Sequence, residues 1–133
     1  RSITAIWNPE CGEDGPRGLA LGDGGRYLVV ACPDHLDSLA ASSDGRIVST
    51  LPTGAGVDDL DYLPARRAVY AAASSDAVLT VATLDESGAL HALSSAPTAK
   101  GARNAAVTDD GTAYVACGPA GKILVVPPST ASR

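Results

Sequence analysis

No phenylalanine and no methionine occur among the 133 residues, and there is one tryptophan, Trp7. Helix bundles fill the space between their elements with larger apolar side chains than this. Here the 45% of hydrophobic residues is carried largely by Ala and Val, which suit closely stacked sheets. Helical periodicity is missing as well. No window of 12 or more residues keeps apolar positions at i, i+3, i+4 and i+7 without a Gly, Pro or Ser-Asp-Gly break. Leu36 to Ala41 alone leaves room for a helical turn.

Other absences exclude functions. With 10 basic against 15 acidic residues the net charge is −5, and Arg66-Arg67 is the longest basic cluster, so nucleic acid and anionic lipid are poor partners. No run approaches the ~18 to 20 apolar residues that span a bilayer, so the chain reads as soluble, without membrane insertion. Arg1 to Trp7 lacks the apolar core of a secretory signal, and the start reads as a cut or processed end that leaves the compartment open. The three cysteines, Cys11, Cys32 and Cys117, match no metal-ligand spacing. Nor is there a GxSxG or a Ser-His-Asp context for nucleophilic hydrolysis. The glycines of GDGG and GPAGK serve turns rather than a phosphate cradle, since no helix follows them. No catalytic residue, metal or cofactor is therefore expected.

What is present is a repeat. Val57 to Ala73, VDDLDYLPARRAVYAAA, has counterparts in Arg17 to Cys32 and Ala102 to Cys117. Each is a short apolar strand, a polar turn and a second strand ending VVAC, YAAA or YVAC. Val29, Tyr70 and Tyr114 are equivalent and fall 41 and 44 residues apart, the period of a four-stranded propeller blade. The segments divide into a leading outer strand (2–8), blade 1 (13–54), blade 2 (55–99), blade 3 without its fourth strand (100–128) and a tail (129–133). The expected fold is all-β: a β-propeller of four-stranded antiparallel blades, three of them in this chain. Propellers have ~4 to 8 blades, so three leave two open edges. Two ways of completion follow. The chain is a piece of a longer propeller, or two copies close a six-bladed ring head to tail, each Ser2 to Trp7 strand completing its partner's third blade.

The strand ends YVAC (Tyr114 to Cys117), LVVAC (Leu28 to Cys32) and VYAAA (Val69 to Ala73), each following a Gly-rich entry into its repeat, resemble the YVTN type of bacterial β-propeller. That group is similar to lactonase-like and quinoprotein-subunit propellers, and the resemblance spans residues 3 to 126. It implies about seven blades in the whole ring, and it favours a periplasmic or secreted location.

Innermost strands of a propeller line its channel, so equivalent residues at their starts should meet at the channel mouth. These are Arg17 with Gly18, Asp58 with Asp59, and Arg103 with Asn104. Arginine forks and carboxylates around one opening suit a small anion or sugar; the same residues also suit salt bridges between blades, and both readings stay open. Asp58, Asp59 and Asp61 do not form a calcium loop, because strand alternation puts Leu60 and Tyr62 on one side, Asp59 and Asp61 on the other, and Asp58 in the preceding loop. Asp61 stands where the other repeats have Ala20 and Ala106, so it must face the channel or find a partner. His35, in the loop after Cys32-Pro33-Asp34 on the same face as the channel mouth, joins the candidate ligand-binding residues and is the only histidine placed for acid or base work; His91 reads as a surface residue of an outer strand. Cys32 and Cys117 end equivalent strands and read as small buried thiols. If a disulfide forms, the pair is Cys11 and Cys32. Trp7 is expected to anchor the leading strand. The favoured function is a non-enzymatic scaffold or binding module that offers this polar face to a small polar ligand or a partner protein. The alternatives are a lactonase-like or quinoprotein-associated enzyme, or a fragment of one with no independent activity.

Overall fold

The computed structural model describes residues 1–129. Within them the chain forms eleven strands and, apart from two one-turn 3-10 segments, no helix; none is long and apolar enough to cross a membrane. Residues 130–133, most of the expected tail, lie outside the described residues.

Alternation and turn chemistry account for the strands. In blade 1, β1 (Leu19–Gly22), β2 (Tyr27–Ala31), β3 (His35–Ala40) and β4 (Ile47–Pro52) form an antiparallel meander. Blade 2 repeats it with β5 (Val57–Leu63), β6 (Ala68–Ala73), β7 (Val78–Leu84) and β8 (Leu90–Pro97). Blade 3 holds β9 (Ala102–Val107), β10 (Ala113–Cys117) and β11 (Lys122–Val126). The inner strands are β1, β5 and β9, with β5 packed against both of the others. Of the stretch Leu36 to Ala41, residues 36–40 are strand rather than a helical turn: Leu36 pairs with Ala31 and Leu51, and ladder bonds on both sides outweigh a weak local preference.

Two apolar layers join the three sheets. Between blades 1 and 2 lie Val29, Ala31 and Leu36 with Leu60, Val69, Ala71 and Leu84. Between blades 2 and 3 lie Tyr70, Ala72 and Leu79 with Ala113, Val115 and Cys117. The small residues anticipated from composition let the sheets approach: Ala71, Ala72 and Ala73 are wholly buried. At ~25 cal/mol per Å² of buried apolar surface, such layers are the main favourable contribution.

The leading strand expected at 2–8 does not form within the single chain. A strand needs an edge to pair with, and the edge lacking a fourth strand, β11, is at the far end of the stack. Instead the segment crosses the outer face of blade 1. Thr4, Ala5 and Trp7 line a shallow pocket there with Leu28, Val30 and Leu39, and the Trp7 ring is packed on Gly45. Ile3 and Ile6 remain 83% and 88% exposed.

Candidate functional site

The starts of β1 and β5 bring four of the residues anticipated at the channel mouth together. The Arg17 guanidinium lies 3.5 Å from Asp58 Oδ1, both side chains partly exposed. Gly18 packs directly on Asp59, where an added Cβ would sit 2.3 Å from Oδ1 and 2.7 Å from Cα; only glycine permits this approach. Asp59 Oδ1 accepts the Leu60 N–H at 2.8 Å. Asp58 is not in a loop but within β5, whose register against β6 shifts between Val57 and Leu60. This bulge spreads the two carboxylates toward the mouth.

Asp61 finds a partner rather than facing the channel: its Oδ2 accepts the Val107 N–H of β9 at 2.9 Å, and Oδ1 accepts the Tyr62 N–H. This carboxylate thus ties the inner strands of blades 2 and 3. Arg103 and Asn104 are exposed on β9, and among the described residues no ion pair holds Arg103. Of the two arginines at the starts of inner strands, Arg17 is thus ion-paired and Arg103, among the described residues, is not.

At the opposite end, polar contacts tie blades 1 and 2. Arg67 donates to Asp23 Oδ1 at 2.7 Å and to the Leu84 carbonyl at 2.9 Å. The Arg67 hydrogen bond, helped by Arg26, holds the Asp23 carboxyl below its ordinary value. Arg26 also donates to the Glu86 carbonyl, and the Ser38 hydroxyl to that of Gly88.

His35 is a strand residue rather than a loop residue. It opens β3, and alternation puts it with Asp37 on the face of blade 1 turned away from blade 2. The loop ends sooner than expected because His35 already pairs with Pro52 in the ladder. Its Nδ1 is 2.6 Å from Asp34 Oδ1 and its Nε2 3.5 Å from Asp37 Oδ2. Asp37 is 2% exposed and accepts the Thr50 hydroxyl. Beside it Cys11 and Cys32 are joined in a disulfide, whereas Cys117 is free and buried. Sequence reasoning missed this cluster. The i, i+2 spacing of His35 and Asp37 after Cys32 was the available signal, hidden by treating His35 as a loop residue. His91 is exposed and pairs with Asp85 at 2.8 Å.

The stack is unfinished at both ends. Leu19 and Leu21 are exposed on blade 1, and Tyr114, Ile123 and Val125 on blade 3. A groove lined by Tyr70, Leu79, Val81, Leu93, Ala113 and Val126 runs between blade 2 and β11, where a fourth strand of blade 3 would lie.

Comparison with known proteins identifies the architecture. No family profile and no curated protein matches this chain. Solved structures do. A 6-phosphogluconolactonase-like protein from Bacteroides fragilis superposes with a TM-score of 0.75 at 21% identity, covering 89% of this chain and 36% of that one. Its counterpart from Bacteroides uniformis gives 0.75 at 20% identity, covering 89% and 37%. The Cps50 (Swd1) β-propeller domain from Myceliophteria thermophila gives 0.61 at 11%, covering 95% and 47%. The fold is that of β-propeller blades. This chain spans less than half the length of each of these neighbours.

Proposed function

We propose that this chain is a binding module that closes a propeller ring with a second copy of itself. The assembled mouth, with Arg17, Asp58, Asp59, Arg103 and Asn104, is offered to a small polar ligand. The observation that carries this reading is the match between the two unfinished ends. Blade 1 has an apolar face with one unpaired segment, Ser2 to Trp7, lying across it. Blade 3 has an apolar face, a β11 edge with no strand partner among the described residues, and a groove beside it. Stacking blade 3 of one copy on blade 1 of the next puts the segment of the second copy beside β11 of the first. Repeating the contact once closes the ring. Ladder bonds to β11 remove the edge, and Tyr114, Ile123 and Val125 meet Leu19 and Leu21.

Light scattering tests this directly: the expected mass is twice the 13.3 kDa of one chain, and replacing Ile3 and Ile6 with Asp should return it to one. A wild-type chain that stays monomeric at high concentration, with no second polypeptide bound, would overturn closure by self-pairing. For the mouth, calorimetric titration with sugar phosphates and sugar acids should show binding that Arg103→Ala weakens about tenfold, in line with one lost charge-assisted contact.

A lactonase-like activity is the second reading, favoured by the names of the two Bacteroides neighbours and by fold alone. It predicts hydrolysis of a phosphorylated sugar lactone by the assembled ring.

A further inference from the structure

Asp37 presents an unresolved charge. Its Oδ1 takes the Thr50 hydroxyl, but Oδ2, in a residue 2% exposed, has no proton donor close by. The nearest sulfur, Cys32 Sγ at 3.7 Å, belongs to a disulfide and so carries no proton. His35 Nε2 is 3.5 Å away, beyond ordinary hydrogen-bond length. Nδ1 lies 2.6 Å from Asp34 Oδ1, and in the tautomer that donates there Nε2 turns a lone pair toward Asp37. A buried carboxylate oxygen and an imidazole lone pair thus face each other, an arrangement that wants a cation between them. A carboxylate on the far nitrogen of a histidine is also how metal-ligating histidines are oriented.

We propose that reduction of the Cys11–Cys32 disulfide creates a zinc site whose ligands are Cys11, Cys32, His35 and Asp37, with Asp34 and Thr50 as positioning residues. The geometry fits. With Zn–S of about 2.3 Å and Zn–N and Zn–O of about 2.1 Å, a tetrahedral site has edges of about 3.4 Å from O to N and about 3.6 Å from O to S. The corresponding separations from Asp37 Oδ2 are 3.5 Å to His35 and 3.7 Å to Cys32. Both sulfurs and an Asp37 oxygen lie within 4.8 Å of one another, and all three residues are buried. On reduction the sulfurs must part to about 3.8 Å, the S-to-S edge of the same tetrahedron. Cys11 is packed against Val30 and Leu39 but lies outside the strands, so no ladder bonds oppose the movement.

The chemistry balances. The disulfide takes two electrons and two protons from a dithiol reductant, which becomes a disulfide in turn. The two thiols then release their protons to solvent as the metal binds their thiolates. Oxidation ejects the metal, so the cluster holds either a disulfide or a divalent cation. Thiolate and imidazole donors select zinc over magnesium or calcium.

The test is a Co²⁺ titration of the full chain, oxidised and after reduction with a phosphine. Reduced protein should take up one Co²⁺ per chain with a thiolate-to-cobalt charge-transfer band, which Zn²⁺ bleaches, while oxidised protein shows none. Asp37→Asn and His35→Gln should weaken Co²⁺ binding by more than tenfold, and Asp34→Asn by about tenfold, typical for a supporting carboxylate. Cys117→Ala should leave the band unchanged. A second readout needs no variant: Zn²⁺ should raise the unfolding temperature of the reduced protein and not of the oxidised one. No band at millimolar Co²⁺, a band indifferent to Asp37 and His35, or a band that Cys117→Ala abolishes would each overturn the site.

Discussion

Tyr70 and Tyr114 occupy the same place in successive repeats, on the second strand of their blades and facing the next blade. Tyr70 is 5% exposed and Tyr114 41%. The strands around them differ in the same way: all six residues of β6 are buried, whereas β10 alternates. The local sequences AVYAAA and AYVAC are nearly interchangeable, so the difference lies in the neighbour. Blade 2 has a sheet on each side and blade 3 has one. A face that is core in one repeat is thus surface in the next, and the exposed one is where the fold expects more protein.

The largest effect should come from comparing a substitution on the covered face with one on the open face. Leu79 is 1% exposed between blades 2 and 3, and Leu79→Ala should cost ~2–5 kcal/mol, because the rigid sheets around it cannot collapse into the space. Ile123 is 62% exposed on β11, and Ile123→Ala in a single chain should cost under ~0.5 kcal/mol. Urea unfolding below and above the concentration for pairing separates the cases. If Ile123→Ala becomes costly only at the higher concentration, the open face is covered by another copy. Equal costs at both concentrations would mean that this face never finds a partner.

A smaller effect probes the other open face, where Ser2 to Trp7 lies on blade 1. Gly45 has φ +71, and an added Cβ would meet the Trp7 ring at 2.0 Å. Gly45→Ala therefore strains the backbone, at ~1 kcal/mol, and evicts Trp7. Since this is the only tryptophan, its emission should shift to the red. Unshifted emission would show that the segment does not rest on blade 1 in solution.

The contrast between faces also explains what was legible in the sequence. Strand positions were, because period-two alternation and the turn residues GDGGR, LPARR and TDDG act locally, and blades are local meanders. The Asp61 oddity was legible as a demand for a partner, though which N–H would answer depended on the inner strands packing together. The leading strand was legible as a pattern and yet unformed, since a strand is defined by its partner. His35 escaped because the end of a loop is decided by ladder bonds across β3 and β4. With it escaped the cluster formed with Asp37 and the cysteines, which chain folding assembles from positions 11 to 37. Arg17 and Arg103 illustrate the same limit: identical in type and nearly equivalent in the repeat, one has Asp58 beside it and the other, among the described residues, has no ion pair.

The smallest expected effect concerns acid, and it separates a junction between blades from a turn within one. Asp23 and Asp110 are both held below their ordinary value of 3.8. Asp23 owes this chiefly to Arg67 across the blade 1 to blade 2 junction. Asp110, at about 2, owes it chiefly to the Thr108 hydroxyl and the Thr112 N–H in the β9–β10 turn. Each favours folding fully above the unfolded value, and the contribution fades as pH falls from about 4 through the folded value. Asp23→Asn and Asp110→Asn should therefore both flatten the dependence of thermal stability on pH below about 4. Salt distinguishes them. A part-buried ion pair is screened in part, so added salt should shrink the difference between wild type and Asp23→Asn. It should leave that for Asp110→Asn in place, because neutral donors hold that carboxylate. If salt acts alike on both, Arg67 contributes nothing electrostatic to the junction, and blades 1 and 2 are held together by their apolar layer and their neutral hydrogen bonds.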